Sequence, residues 1–351
     1  MRKIAVVNFK GGTGKTTTVV NLGDGLARRG RRVLLVDVDA QGGLALSLGP
    51  TPEKTLSDVL TGQVSIQEAI VPTRPHLDLL PSDNSLLQAQ RTVANYVNWV
   101  DILAATLRPV EERYDFILLD CAASLTLLNV SALAYATEIL IPTQVEYLSL
   151  MGLNQVLENL ARVRYPNRPR QEVRDLGISL ILPTMYDVRK RQSRQLLAEL
   201  RQAYGRHVAY PIRTNVRLSE APARRQTIFE YAPDSPGAFD YNRLVDLVLQ
   251  ETLLAGEEPI GLGRTFQVGQ RGEGKEAGLE TVPESVEEVP IVSPVIAPIP
   301  SEEASRPSPA AAPLCPYCGS ALMTLTVAGY RVYQCERCGY QKQVLLRDLR
   351  T

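Results

Sequence analysis

The feature that most constrains the fold of this chain is a loop rich in glycine and lysine close to the N-terminus. The apolar run Ile4–Val7 predicts a buried strand, and Val19, Leu22 and Leu26 follow with the spacing of one helix face. Between them, residues 8–18 read NFKGGTGKTTT. A strand, a glycine-rich loop and a helix N-terminus in this order form a cradle for phosphate, because backbone N–H groups and the positive helix end both attract an anion.

Two lysines and a hydroxyl of this loop have distinct predicted roles. Lys15 precedes the predicted helix, where its side chain can reach the outer phosphates of a nucleotide, and the Thr16 hydroxyl stands where it would bind Mg²⁺. The standard motif, G-x-x-x-x-G-K-S/T, begins with a glycine, but this chain has Phe9 there, followed by a second lysine, Lys10. The predicted nucleotide-binding residues are Lys10, Gly11, Gly12, Thr13, Gly14, Lys15, Thr16 and Thr17.

Acidic residues follow two further apolar runs. Asp37 and Asp39 come after Val33–Val36, and Asp120 comes after Phe116–Leu119. Parallel strands present their carboxyl ends at one edge of a sheet, so both positions are expected beside the glycine-rich loop. We predict that Asp120 contributes to the Mg²⁺ site, and that the first pair of carboxylates orients water or a metal ion.

Strand-like and helix-like patterns alternate over most of the chain. Short apolar runs typical of buried parallel strands are separated by stretches with helical spacing. This alternation predicts an α/β fold, a doubly wound and mostly parallel sheet of the P-loop NTPase type, with its ligand at the carboxyl ends of the strands. Further strands are predicted at Leu77–Leu80, Glu138–Ile141 and Gly177–Leu182, and helices at Ser85–Leu107, Gly152–Val163, Lys190–Tyr204 and Phe239–Leu254.

Composition divides the chain into three parts. Residues 1–255 are predicted to form the P-loop domain, residues 256–313 a disordered linker rich in Gly, Glu and Pro, and residues 314–351 a small β-rich module. The formal net charge of 0 argues neither for nor against nucleic acid as a partner. No apolar run approaches the roughly 18–20 residues of a membrane span. No signal peptide precedes the first strand, so we expect a cytoplasmic protein that does not bind membranes.

Four of the five cysteines form two Cys-x-x-Cys pairs near the C-terminus. The pairs are Cys315 with Cys318 and Cys335 with Cys338, and a glycine follows each. This spacing is typical of a Cys₄ zinc ribbon, whereas a redox-active dithiol pair is the alternative. A module of this size has little hydrophobic core, so bound Zn²⁺ would supply much of its folding free energy.

Several motifs resemble, in the correct order, those of the deviant-Walker ATPases, the group that contains the ParA, MinD and nitrogenase-iron-protein families. The first is Lys10 within K-G-G-T-G-K-T-T, and the second is D-V-D-A-Q-G at residues 37–42. The third is D-C-A-A-S at residues 120–124. The fourth, N-V-R-L-S-E-A-P at residues 215–222, is similar to chromosomal, or Soj-type, ParA proteins, and the resemblance extends over roughly residues 1–250.

The resemblance implies a working cycle. In the family, ATP closes a homodimer over two nucleotides, and the lysine matched by Lys10 reaches the phosphates of the partner subunit. The residue matched by Asp39 positions the attacking water, so Lys10, Lys15 and Asp39 are the expected catalytic residues. The dimer binds DNA without sequence preference, through positions matched by Arg189 and Arg217, and coats the nucleoid. A ParB-type centromere-binding protein or a cargo adaptor then stimulates weak hydrolysis of ATP to ADP and phosphate.

The chain departs from the family pattern at Ala40 and at Ala122-Ala123, where the family has prolines. These changes put in doubt the coupling between nucleotide state and partner surface. They leave a nucleotide-gated DNA-binding scaffold without turnover as an alternative. The tethered zinc ribbon favours a second alternative, an ATPase that positions a protein cargo, whereas a MinD-like cell-division regulator is disfavoured by the cysteine-rich C-terminus. For the ribbon, partner docking, added DNA affinity and protection of the C-terminus stay open.

Overall fold

The chain forms two compact units, Met1–Gly274 and Lys275–Thr351. The computed structural model describes residues 1–147, 149, 153, 156–158, 160, 178–250, 314, 320–327, 330–334 and 341–345. The predicted linker, 256–313, lies outside the described residues, so the predicted domain boundaries stay predictions. No helix of the described residues is long and apolar enough to cross a membrane.

A seven-stranded sheet forms the centre of the first unit. Its strands are β1 (Arg2–Val6), β2 (Val33–Asp37), β3 (Val71–Arg74), β4 (Leu77–Leu80), β5 (Phe116–Asp120), β6 (Glu138–Gln144) and β7 (Ile178–Thr184). They lie in the order β3-β4-β2-β5-β1-β6-β7, and every neighbouring pair is parallel except β3 with β4. The predicted mostly parallel sheet is confirmed. The edge strand β3 is not among the predicted strands, because Val71-Pro72-Thr73-Arg74 lacks an apolar run.

The sheet is buried on both faces. Alternate residues of β2 belong to two different hydrophobic cores, Leu34 and Val36 to one and Val33 and Leu35 to the other. All four side chains are inaccessible to solvent, as expected for a strand covered on both sides. The described helices of this unit are α1 (Lys15–Arg28), α2 (Gly43–Leu48), α3 (Leu56–Leu60), α4 (Ile66–Ala69), α5 (Leu86–Val93), α6 (Ile102–Leu107), α7 (Leu127–Tyr135), α8 (Arg191–Tyr204), α9 (Val216–Glu220), α10 (Ile228–Tyr231) and α11 (Pro236–Leu249).

The prediction of a single helix at Ser85–Leu107 is wrong. The chain forms α5 and α6 there, separated by a turn and by the 3₁₀ segment Trp99–Asp101. Two asparagines flank Tyr96 and Val97 in this connection, and asparagine competes for backbone hydrogen bonds in a way that favours turns over helices. Val97 is 97% exposed, so the apolar residues of the connection do not continue the buried helix face.

The second unit contains a three-stranded antiparallel sheet in the order β10-β9-β8. Its strands are β8 (Met323–Val327), β9 (Tyr330–Gln334) and β10 (Gln341–Leu345). An isolated antiparallel bridge joins Leu314 to Ala321. The β-rich character predicted for residues 322–327 and 331–334 is confirmed, whereas β10 is an additional strand. The four cysteines of the predicted zinc site lie outside the described residues.

Candidate functional site

The glycine-rich loop joins β1 to α1 in the arrangement that the sequence predicts. Gly14 caps α1 in the left-handed region with φ 91°, and Gly12 has φ 71°, so both positions require a residue without a Cβ atom. A Cβ atom added at Gly11 or Gly12 would meet no atom within 4 Å. The loop therefore presents backbone to open space at the N-terminus of a 14-residue helix, which is a geometry that binds phosphate.

Residues at the ends of β6 and β7 hold the loop in this conformation. The Gln144 Nε2 atom donates to the Gly12 carbonyl oxygen at 3.0 Å, and the Thr184 hydroxyl donates to the Thr13 carbonyl oxygen at 2.9 Å. With these carbonyl groups turned toward the sheet and already paired, the loop is organised before a ligand binds.

Lys15 lies mostly buried beneath the loop, with 8% of its surface exposed. Its ammonium donates to the Lys10 carbonyl oxygen at 3.2 Å. Burial lowers the pKa of Lys15 below its ordinary value, and the negative charges of Asp120 and Asp39 oppose that shift. The structure thus brings the predicted phosphate lysine and the two predicted carboxylates into one electrostatic site.

The Asp120 carboxylate stands at the last position of β5 and is 1% exposed. Neither of its oxygens has a hydrogen-bond partner among the described residues. Burial, and then the charge of Asp37, raise the pKa of Asp120 well above its ordinary value, while the nearby Thr16 hydroxyl and Lys15 oppose the rise. A buried carboxylate without a partner is costly unless a cation satisfies it. A carboxylate beside a hydroxyl is a set of oxygen ligands that fits Mg²⁺.

The loop after β2 places Asp39 at the edge of this site. The buried Asp37 carboxylate accepts from the backbone N–H of Asp39 at 3.1 Å and of Leu44 at 3.0 Å, which fixes the loop. Burial raises the pKa of Asp37 to about 7. The Ser82 hydroxyl donates to the Asp39 carbonyl oxygen, and the Asp39 side chain is left half-buried. Asp37 therefore anchors the loop, and Asp39 is the carboxylate that solvent reaches.

Comparison with known proteins identifies the family. A family model described as an AAA domain matches residues 1–173. The chromosome-partitioning ATPase Soj of Thermus thermophilus is 42% identical over 250 residues, which are 71% of this chain and 96% of that protein. The chromosome partitioning protein ParA of Caulobacter vibrioides is 36% identical over 256 residues, which are 71% of this chain and 94% of that protein.

The chain belongs to the ParA/MinD family. A solved structure agrees with this assignment, that of cobyrinic acid a,c-diamide synthase from Mycobacterium smegmatis with a bound ATP analog and magnesium. It superimposes with a TM-score of 0.60 at 31% identity, over 74% of this chain and 99% of that chain. The glycine-rich loop, Asp39 and Asp120 all lie within the part of the chain that the family model matches.

The two arginines predicted to contact DNA stand on adjacent segments of this ParA/MinD fold. The Tyr186 N–H donates to Ile212 O, and the Thr214 N–H donates to Tyr186 O, both at 3.0 Å. Arg189 follows Tyr186 in the chain, and Arg217 follows Thr214. The Arg189 side chain is 86% exposed and the Arg217 side chain 57% exposed.

Each of these arginines has an acidic neighbour close to it in sequence. Arg189 pairs with Asp187 at 3.0 Å and Arg217 with Glu220 at 2.9 Å. Arg217 also lies beside Tyr231, with 5.9 Å between its guanidinium carbon and the ring centre. Surface pairs of this kind are weak, so both guanidinium groups remain available to an external anion.

Three polar residues that organise this ParA/MinD loop are not among the predicted site residues: Gln144, Ser149 and Thr184. Gln144 and Thr184 occupy the last positions of β6 and β7. A polar residue that ends a buried parallel strand faces the ligand edge of the sheet, and this position is the signal that identifies both. Ser149 carries no comparable signal, because only the tertiary structure brings it to the loop.

Proposed function

We propose that this chain is an ATP-dependent DNA-partitioning ATPase of the ParA/Soj type, located in the cytoplasm and on the nucleoid. The observation that carries the proposal is the buried Asp120 carboxylate, which has no hydrogen-bond partner among the described residues and lies near Thr16 and Lys15 of the glycine-rich loop. Such a cluster needs a cation and a polyanion to satisfy it, and Mg²⁺ with ATP supplies both. The identity to partitioning ATPases over most of their length supports the same assignment.

The residues divide the work by position. Thr16 and Asp120 would hold Mg²⁺, which would neutralise negative charge on the phosphates. Lys15 and the loop N–H groups bind the phosphates. Asp39 is half-buried at the edge of the site, where it can orient an attacking water. Lys10 contacts the nucleotide of a partner subunit in an ATP-dependent homodimer, and a ParB-type protein or cargo adaptor stimulates hydrolysis.

Duplex DNA is the proposed binding partner of this dimer. Arg189 and Arg217 lie on adjacent exposed segments, and dimerisation doubles their number. Contacts between arginine and phosphate carry no sequence information and release condensed counterions, so binding of this kind is non-specific and strongly salt-dependent.

Co-sedimentation of the full chain with non-specific duplex DNA, in ATP and in ADP across a salt series, tests the proposal. We expect binding only in ATP, and none in Lys15→Ala. Arg217→Ala should weaken binding and reduce the slope of log K against log salt by about 1 for each phosphate that the arginine neutralises. Arg32→Ala is the matched control. Arg32 lies just before β2, at the end of the sheet opposite to Arg189 and Arg217, and it pairs with Asp115. The Arg32→Ala variant should bind DNA like the wild type.

The alternatives predict different outcomes of the same experiment. Equal binding in ATP and ADP contradicts a nucleotide-driven switch. ATP-dependent binding without phosphate release, in the presence of DNA, supports a scaffold that does not turn over. Absence of DNA binding together with ATP-dependent dimerisation supports the positioning of a protein cargo, and sedimentation with anionic liposomes supports the MinD-like alternative.

For the second unit, we propose that Cys315, Cys318, Cys335 and Cys338 bind Zn²⁺. The four cysteines lie outside the described residues, so the support comes from their spacing and from the strands that flank them. The pair Leu314 with Ala321 flanks the first Cys-x-x-Cys segment, and the pair Gln334 with Gln341 flanks the second. The pairing of Met323 with Gln334 brings the ends of both segments to the same end of the sheet.

A further inference from the structure

We infer that Gln144 and Ser149 form a seat for the Lys10 side chain on its own subunit, and that this seat sets how readily Lys10 engages the nucleotide of a partner. The inference rests on the proposed function, because only an ATP-dependent dimer gives Lys10 a second place to bind. It makes Gln144 and Ser149 positioning residues, which act on the nucleotide through Lys10.

The contacts define the seat. The Lys10 ammonium donates to the Ser149 hydroxyl at 2.8 Å and to the Gln144 Oε1 atom at 3.1 Å. Both acceptors are neutral, and no carboxylate among the described residues forms an ion pair with Lys10. Charge-assisted bonds to neutral groups hold a lysine in a defined place, yet a phosphate, which carries negative charge, is the stronger acceptor. Lys10 therefore stays in the seat when no nucleotide is bound, and it can leave the seat when a phosphate is within reach.

The orientation of Gln144 makes the seat specific. Its Nε2 atom donates to the Gly12 carbonyl oxygen at 3.0 Å and lies 3.2 Å from the Met185 sulfur. Because the amide nitrogen is committed to the loop, the amide oxygen must face Lys10. The second acceptor is equally fixed, since Ser149 is only 6% exposed. The seat is thus built by groups that cannot reorient freely.

The Lys10 main chain is fixed by the loop, whereas its side chain is held by the two hydrogen bonds of the seat. The Lys10 N–H donates to the Asn8 Oδ1 atom at 2.9 Å, and the Lys10 carbonyl oxygen accepts from the Lys15 ammonium. Lys10 is nevertheless an exposed residue. A change from the seat to a partner nucleotide therefore requires only side-chain rotation, and the phosphate loop keeps its shape.

Two positions for one side chain form a two-state equilibrium. Occupation of the seat lowers the population of the state that can engage a partner, and the apparent dimer affinity falls by that fraction. Weakening the seat at Ser149 therefore strengthens ATP-dependent dimerisation, while the bond from Gln144 to the Gly12 carbonyl oxygen keeps the loop in place. A substitution that removes a hydrogen bond at the loop would ordinarily have the opposite effect.

The first test measures the seat itself, on the full chain without nucleotide. Ser149→Ala removes one acceptor, whereas Ser149→Thr keeps it. Acylation of lysine amines by acetic anhydride, followed by peptide mass spectrometry, reports the reactivity of Lys10 relative to that of Lys54 in the same sample. We expect the ratio to rise about threefold in Ser149→Ala, because the hydrogen bond that is lost belongs to an exposed lysine and solvent weakens it, and to be unchanged in Ser149→Thr.

The second test measures dimerisation by analytical ultracentrifugation in ATP. The protein concentration at half-dimerisation should fall about fivefold in Ser149→Ala and stay at the wild-type value in Ser149→Thr. Ser47→Ala is the matched control, because Ser47 has a similarly buried hydroxyl that bonds within α2. In a Lys10→Ala background, Ser149→Ala should have no effect on the protein concentration at half-dimerisation.

The outcomes separate the inference from the proposed function. An unchanged acylation ratio in Ser149→Ala overturns the seat. A raised ratio with unchanged or weaker dimerisation overturns the competition between seat and partner. If the wild type forms no dimer in ATP, the proposed function fails, and the seat is then judged by acylation alone. Should Ser149→Ala be unfolded by circular dichroism, Ser149→Cys replaces the hydroxyl by a much weaker acceptor and must raise the same ratio.

Discussion

At the scale of single residues, Asp120 is the group whose environment is hardest to explain by folding alone. A buried charge without a partner destabilises a folded protein by several kcal/mol unless the group becomes protonated. Such a group is rare in a folded protein unless a bound ligand supplies the missing interaction. The Asp120 carboxylate, which is buried and has no hydrogen-bond partner among the described residues, is therefore a group that a cation would stabilise.

Asp120→Asn is predicted to stabilise the nucleotide-free protein and to impair the nucleotide site. Replacing the buried carboxylate by a neutral amide removes a desolvation cost, so the free energy of unfolding in urea should rise by about 1–3 kcal/mol. The same change removes a Mg²⁺ ligand, so ATP affinity measured by calorimetry should no longer increase when Mg²⁺ is added.

Asp39→Asn is the matched control for that prediction. Its carboxylate is half-buried and accepts a hydrogen bond from the Gln41 N–H at 3.1 Å, which the asparagine oxygen can also accept. We expect its stability to lie within about 0.5 kcal/mol of the wild type. A lower stability for Asp120→Asn, or Mg²⁺-dependent affinity retained in that variant, would contradict the assignment of Asp120.

At the scale of elements, α1 is the helix on which the site depends, and close packing holds it on two sides. A Cβ atom added at Gly23 would lie 2.6 Å from Leu35 of β2, and one added at Gly25 would collide with Val245 of α11. Polar contacts fix the same helix, since the Ile228 N–H donates to Asn21 Oδ1 at 2.7 Å. These contacts hold the N-terminus of α1 in register with the phosphate loop.

Gly25→Ala is predicted to destabilise the protein although alanine favours helices. The added methyl group would collide with Val245 and would also lie 3.2 Å from Phe229. Overpacking costs about 1–3 kcal/mol, and because valine is stiff we expect the upper part of that range, which outweighs the gain in helix propensity of about 1 kcal/mol. Urea unfolding measures the change.

A second substitution distinguishes steric overlap from other causes. Val245→Ala removes the methyl group nearest to the added one, so Gly25→Ala should cost less in the Val245→Ala background than in the wild type. Equal costs in both backgrounds would show that close packing of α1 against α11 is not the reason for the glycine.

At the scale of the whole molecule, the chain consists of two units with different sources of stability. The first unit has a hydrophobic core on each face of its sheet. The second unit has a three-stranded sheet, for which a metal is the proposed source of folding free energy. We therefore expect the two units to respond separately to metal removal.

The prediction is one Zn²⁺ per chain, measured by mass spectrometry of the metal, and its absence in Cys318→Ser. Cys121→Ser is the matched control, because Cys121 is 1% exposed in the core of the first unit. After chelation, four thiols should react with a disulfide reagent while Cys121 stays protected, and the first unit should unfold at an unchanged temperature. Rapid reaction of the four thiols without a chelator, in protein that has been supplied with Zn²⁺, would contradict the zinc site.

The sequence alone determines the elements whose signals are local. A glycine-rich loop between an apolar run and a helical pattern predicts β1 and α1, because backbone conformation depends on neighbouring residues. Asp120 follows from its place after four apolar residues, and the parallel sheet follows from the alternation of patterns. The motifs that resemble the ParA/MinD family are also short segments, so the family was predictable before the fold was known.

Only the tertiary structure decides which distant residues meet. Gln144 and Ser149 stand more than 130 residues from Lys10 in the chain, and their contacts with it depend on the position of β6 next to β1. The break between α5 and α6 depends likewise on which apolar residues are buried in the hydrophobic core. Periodicity reports the face of an element but not its neighbour, because strand order is set by long-range packing that no local window of sequence contains.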